Sequence, residues 1–214
     1  MKRRARIVAG AALTALICPP AFTAERSGWS AEALIGDAFN FNSRTHIDYA
    51  NSDVALNGDY HTHGFEAPLH YTVRIARWHG DRAWELQLMH HKVYLQNRPQ
   101  GVDALSVSHG FNIVSLNRAF AADPWRLRVG LGPVIAHPEA QIGAVSYDGP
   151  YELAGAAVLG AVGAQFTLTP KLSIVGELAA TFGYIDVHPH GAPDLNFSIR
   201  NPALHAQVGV GYRF

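Results

Sequence analysis

The sequence has one cysteine in 214 residues, no excess of either charge and no second long apolar run. Each absence closes a class of function. Cys18 lies within the first 24 residues, so the rest of the chain has no disulfide, thiolate metal centre or cysteine redox chemistry. Basic and acidic residues number 17 each, which leaves no basic stripe of the kind nucleic acid requires. Apart from Ile7 to Ile17, no apolar stretch approaches the roughly 20 residues of a membrane-spanning helix. There is no low-complexity linker and no repeat of domain size.

The N-terminus has a defined layout. Lys2, Arg3, Arg4 and Arg6 form a basic segment, Ile7 to Ile17 an apolar one, and Pro19-Pro20 break it before Ala21-Phe22-Thr23-Ala24. This is the pattern of a secretory signal, with cleavage expected near Thr23 or Ala24. Leu16-Ile17 before Cys18 are too bulky for a lipoprotein cleavage site. The expected division is a cleaved signal over 1–24 and one domain over 25–214. The signal carries four of the 17 basic residues and none of the 17 acidic ones, so the remaining chain has a net charge of −4.

What the rest of the chain does have is alternation. In the last eleven residues Leu204, Ala206, Val208, Val210, Tyr212 and Phe214 share one strand face, and His205, Gln207, Gly209, Gly211 and Arg213 the other. A strand with lipid on one side and a polar lumen on the other needs this pattern. Here the sequence resembles the small monomeric outer-membrane β-barrel proteins of bacteria, whose closing strand ends in Phe. The resemblance implies an antiparallel transmembrane β-barrel in the outer membrane of a Gram-negative envelope, reached by export through the inner membrane. It also implies that Val208, Val210, Tyr212 and Phe214 form the signature that periplasmic chaperones and the barrel-assembly machinery take up, and that outer-membrane lipid and lipopolysaccharide are neighbours.

Eight further segments alternate: Trp29 to Asp37, Val54 to His61, Leu69 to Arg77, Trp84 to Val93, Leu105 to Asn117, Trp125 to Ile135, Leu153 to Leu168 and Leu172 to Ile185. With the terminal one they make nine, and a bacterial barrel needs an even number. Short turns at His79–Arg82, Ala121–Pro124 and Thr169–Lys171 read as periplasmic. Longer links at Gln96–Ala104, Ala136–Glu152 and Val187–Ala203 read as outer loops. This orientation asks for one more strand near the start, and Thr45 to Ala50 supplies it. Ten strands are favoured, with eight as the alternative. Trp84, Trp125, Phe166, Tyr212 and Phe214 then form an aromatic girdle at the inner rim. A soluble sandwich or lipocalin-like barrel, apolar inside, is the rival fold.

Pairing Trp84–Val93 with Leu105–Asn117 about Pro99-Gln100 sets Leu88 against Phe111, Gln87 against Asn112, His91 against Ser108 and His90 against His109. The expected lumenal polar network is Arg74, Glu85, Gln87, Asn112, Arg126, Arg128 and Glu177. His90, Lys92 and His109 would form a cationic rim for lipid headgroups. The function expected is structural, surface-interacting or a porin-like small-solute role, with no committed chemistry and no cofactor or metal. The alternative is a lipid A-modifying acyl hydrolase, to whose barrels this region bears a distant likeness. Its candidate residues are His91, Ser108, Glu85 and His109. Ser108 and His109 point to opposite faces of a regular strand, so that pair requires a bulge. The loop histidines His61, His63, His188 and His190 lack metal-ligand spacing.

Overall fold

The computed structural model describes residues 27–49, 52–143, 145–188 and 195–214. The expected signal segment, 1–24, lies outside these residues, as does His190. Thirteen strands form one antiparallel sheet: β1 (Ser27–Asn40), β2 (Ser43–Tyr49), β3 (Ser52–Gly58), β4 (Tyr60–His61), β5 (Tyr71–His79), β6 (Arg82–Leu95), β7 (Val102–Ala122), β8 (Trp125–Ala136), β9 (Glu139–Ile142), β10 (Val145–Asp148), β11 (Glu152–Thr167), β12 (Leu172–Val187) and β13 (Leu195–Arg213). Eight of them close a ring: β1, β5, β6, β7, β8, β11, β12 and β13, each hydrogen-bonded to the next, with β13 returning to β1. Closure leaves the ring itself without a free edge.

Charge and apolar surface are inverted relative to a water-soluble protein. Leu127, Val129 and Leu131 on β8, and Val208 and Val210 on β13, are each more than half exposed. Arg74, Glu85, Arg128 and Glu177 are buried in the interior. The fold is therefore a transmembrane β-barrel with an outward apolar belt. This disposes of the rival soluble barrel, which would place its apolar residues inside. Trp84, Trp125, Phe166, Tyr212 and Phe214 all face outward at one rim, and Arg118 lies over the Trp84 ring at 5.0 Å. At that rim the Phe214 amide donates to Trp29 O at 3.1 Å and seals the seam.

The ring has eight strands, the alternative to the ten favoured from sequence. The segment expected at Thr45–Ala50 falls in β2, Ala50 lying outside the described residues, and β2 continues the line of β1. Both pair with β13, β1 through Asn40↔Ala203 and β2 from Thr45↔Ile199 upward. Val54 to His61 falls in β3 and β4, which return toward β5 along the neighbouring line. Two expected pairs of strands are thus two interrupted lines. In the same way β9 continues β8 along β7. The expected outer loop at 187–203 is in part strand, because β13 begins at Leu195.

These continuations carry the wall well beyond the belt. β7 has 21 residues, about 70 Å at the usual rise, whereas roughly 10 residues span the hydrocarbon. Above the belt the interior is apolar, built on Val93, Leu105, Phe111, Ile113, Ile185 and Phe197.

Candidate functional site

The barrel interior is layered. In the lower half Arg74, Arg128, Glu32, Glu85 and Glu177 converge from β5, β8, β1, β6 and β12. Arg128 donates from Nε to Glu85 at 3.0 and 3.2 Å, from Nη1 to Glu177 at 2.8 Å and from Nη2 to Glu32 at 3.2 and 3.3 Å. Arg74 makes a two-pronged contact with Glu177 at 2.6 and 2.9 Å and reaches Glu32 at 3.4 Å. All five side chains are at most 5 % exposed. Buried charge persists only when paired and hydrogen-bonded in this way. Four of the five were expected in the lumen from sequence. Glu32 was not, although it lies on the same face of β1 as the buried Leu34.

Gln87 joins a polar layer above, accepting from Asn117 Nδ2 at 3.2 Å. Arg126 sits below the network, held by Asp123 at 3.0 Å and the Trp125 carbonyl at 2.8 Å. Asn112 is not lumenal. The observed pairing of β6 with β7 is Glu85↔Asn117, Gln87↔Ser115 and His91↔Phe111, so the expected register is displaced by three residues. An odd displacement exchanges the two faces of β7. Phe111 and Ile113 turn inward, and Asn112 faces out, its Oδ1 accepting from His90 Nδ1 at 2.8 Å. His91 therefore does not meet Ser108. Its Nε2 lies 3.0 and 3.1 Å from Asn40 Oδ1 and Asn201 Oδ1, in a buried layer shared with His70 and His205. Glu85 belongs to the charge network, not to any pair with His91.

The expected headgroup rim is also altered. His90 is buried and stacks on Tyr71 at 5.1 Å. Lys92 is fully buried, with Nζ donating to the Glu66 carbonyl at 2.8 Å. Only His109 remains exposed, at 58 % of its side chain.

His109 lies in a bulge. Between Val93↔Val107 and His91↔Phe111, Lys92 alone of β6 opposes Ser108, His109 and Gly110 of β7. Gly110 takes φ +144°, and its carbonyl accepts from the His137 amide at 3.1 Å. The two extra residues bring Ser108 and His109 to the same outer face, which a regular strand forbids. Both meet Glu139 at the start of β9. His109 Nδ1 is 2.5 Å from Glu139 Oε1, Ser108 Oγ donates to that oxygen at 2.7 Å, and Ser106 Oγ donates to Oε2 at 3.3 Å. His137 Nδ1 stands 3.6 Å from Glu139, and Tyr151 caps the His109 carbonyl at 2.9 Å. Partial burial raises the Glu139 carboxyl, but the hydrogen bonds from Ser108 and His109 outweigh it and hold the group below the usual carboxylate range.

This is a Ser–His–Glu meeting without relay geometry. Ser108 Oγ lies 3.2 Å from His109 Nδ1, the nitrogen that Glu139 already engages. A nucleophile needs the other ring nitrogen. Sequence reasoning missed Glu139 and His137, which lie 30 and 28 residues further along. Gly110 within an apolar strand pattern was the signal of the bulge that gathers them.

No family model matches the chain, and no curated protein matches it. Solved structures do. The outer-membrane protein AlkL in lipid bilayers aligns over 92 % of this chain and 95 % of its own, at 16 % identity and a TM-score of 0.54. OprG of Pseudomonas aeruginosa aligns over 91 % and 99 % at 11 % identity and 0.48, and the Neisserial surface protein A over 88 % and 98 % at 11 % and 0.45. At such identities the likeness is one of architecture, and it agrees with the closed ring and inverted burial: the chain has the fold of the small bacterial outer-membrane β-barrels.

Proposed function

We propose that this is an outer-membrane barrel with a closed lumen that acts from its outer surface and conducts no solute. The ion network around Arg128 carries the reading. Two guanidinium groups and three carboxylates, drawn from five of the eight ring strands, fill the cross-section with mutual hydrogen bonds. Eight-stranded barrels have interiors just wide enough for side chains to fill. The apolar belt and aromatic rim favour insertion in the outer membrane, short turns in the periplasm and the extended wall outside. A cleaved export signal at 1–24 fits that placement. Lipopolysaccharide is the partner within reach of exposed His109, and the strand ending Val208, Val210, Tyr212, Phe214 is the segment offered to periplasmic chaperones and the assembly machinery. Planar bilayers holding the folded protein should stay electrically silent. Stepwise conductance of the unaltered protein would overturn the proposal, and steps appearing only in Arg128→Ala would support it.

A second reading, acyl-ester hydrolysis on lipid A, has one observation in its favour. Glu139 holds His109 through Nδ1, which leaves Nε2 directed away as an oriented base. Water, not Ser108, would then be the nucleophile. Folded protein incubated with lipopolysaccharide in detergent should release fatty acid, and His109→Ala should stop the release. Absence of release by the unaltered protein ends this reading.

A further inference from the structure

We propose that the barrel lumen contains a binding site for a late first-row divalent cation, formed by His70, His91 and His205. The three imidazoles come from separate parts of the wall. His70 immediately precedes β5, His91 is on β6 and His205 on β13. Each residue is 0 % exposed, and one ring nitrogen from each lies within 4.8 Å of the others. His70 Nε2 and His205 Nδ1 are 3.3 Å apart. Two nitrogens on a tetrahedral zinc ion at its usual bond length stand about 3.4 Å apart.

The partners around the rings fix which nitrogen carries a proton. Asn40 Nδ2 donates to Thr62 Oγ1 at 2.8 Å, and Asn201 Nδ2 donates to Asn40 Oδ1 at 2.8 Å. Both amides thereby turn their oxygens to His91 Nε2, which must be the N–H. In the neutral ring Nδ1 is a bare lone pair, and among the described residues it has no hydrogen-bond partner. Thr72 Oγ1 donates to Gln207 Oε1 at 3.0 Å, so Gln207 turns its amide nitrogen to His70 Nε2 at 3.2 Å; that atom is an acceptor, and a cation bound there would displace the Gln207 contact. Thr181 Oγ1 holds His205 Nε2 at 2.8 Å. Buried acceptors without donors are uncommon. At His91 and His205 the amide and hydroxyl partners sit on Nε2 and leave Nδ1 for a ligand, which is the outer-shell arrangement of metal-binding histidines.

Charge and access agree. The network below the histidines has three carboxylates against two guanidinium groups, so it favours a dication above it. A pocket lined by Asp37, Asp59, His61 and His63 also has Asn40 and Thr62 in its wall, and Asn40 Oδ1 contacts His91 Nε2 at 3.0 Å. Three imidazoles with no carboxylate select zinc, nickel, copper or cobalt over magnesium and calcium, which require oxygen ligands.

The test uses untagged, folded protein stripped with EDTA and titrated with Zn²⁺ and Co²⁺. One equivalent should bind, with the visible absorption of tetrahedral cobalt. His91→Ala and His205→Ala should lose that equivalent, Asn201→Ala should weaken it about 10–100-fold, and His109→Ala should leave it unchanged. Heat-dependent gel mobility checks that each variant is folded. Should the histidine variants fail to fold, ¹⁵N-histidine spectra of the unaltered protein decide: Zn²⁺ must shift three buried imidazoles and Mg²⁺ none. No binding at millimolar Zn²⁺, or cobalt spectra lost with His109 but retained without His91 and His205, would overturn the proposal.

Discussion

Arg128→Leu should destabilise the barrel by about 3–5 kcal/mol, the usual consequence of removing one partner from a buried ion pair. The contacts say where that cost falls. Glu177 and Glu32 keep Arg74, at 2.6 and 3.4 Å. Glu85 has its hydrogen bonds only from Arg128 among the described network members, and the residue is 1 % exposed. Most of the loss is therefore a stranded carboxylate. Adding Glu85→Leu removes the stranded group, and replacing a whole buried pair by apolar residues is often close to neutral. The double variant should thus be more stable than Arg128→Leu, with a coupling of about 2–3 kcal/mol in the double-mutant cycle. Urea unfolding in lipid vesicles, followed by fluorescence of the outward Trp84 and Trp125, measures all four proteins. Additive costs, or a loss below about 1 kcal/mol for the single variant, as for a surface pair, would refute the network reasoning.

Phe111→Ala should cost about 3–5 kcal/mol, because its ring is fully buried in the upper core and the space left can collapse only in part; the same unfolding assay reads it. Gly110→Ala should cost about 1–3 kcal/mol, since φ +144° is closed to a side chain and the new Cβ would collide with the Asn112 side-chain amide, and the ¹⁵N signals of His109 should move with it. Glu139 titrates below its ordinary range in the folded state, so its contribution to stability is complete above the usual carboxylate pKa and disappears as pH falls through the lowered folded value. Unfolding free energies between pH 6 and 3 should show that loss, and Glu139→Gln should abolish it; an unchanged pH profile in Glu139→Gln would contradict the assignment.

The belt and its orientation were legible because they rest on alternation, and alternation survives any error of register. Arg128 between Leu127 and Val129, or Glu177 beside Leu178, reads inward or outward from sequence alone once lipid is placed outside. The strand count was not legible. The two lines that decide the count are interrupted at 41–42 and at 62–70, and each interruption looks like a turn between separate strands. Pairing between distant segments decides the matter, and β13, which carries both β1 and β2, lies more than 140 residues away from them. The rim cluster failed for a related reason. Ser108, His109 and Glu139 are gathered by two extra residues in β7 that no period reveals. Only the positive φ of Gly110 had a sequence correlate.

The misplacement of Asn112 has a more general cause, visible along β13. Leu195, Phe197, Ile199, Asn201, Ala203, His205 and Gln207 face inward without a change of parity. Their outward neighbours are Asn196, Ser198 and Arg200 at the upper end, then Leu204, Val208 and Val210 below. One regular strand thus follows a water-soluble rule above, apolar inside, and a membrane rule below, polar inside. A polar residue marks the lumen only beneath the changeover, and Asn112 lies at it. The changeover level is where Asn201 and His205 stand, together with His70, His91 and Asn40. Residues there face neither lipid nor bulk water. Groups that hydrogen-bond yet can remain uncharged suit such a position: above them the interior is built on apolar residues, and below them each of the three carboxylates is hydrogen-bonded by Arg74 or Arg128. Imidazoles and amides meet both conditions. The same two conditions, neutral nitrogen donors over a network with one surplus carboxylate, suit a late first-row dication, for which imidazole is a preferred ligand.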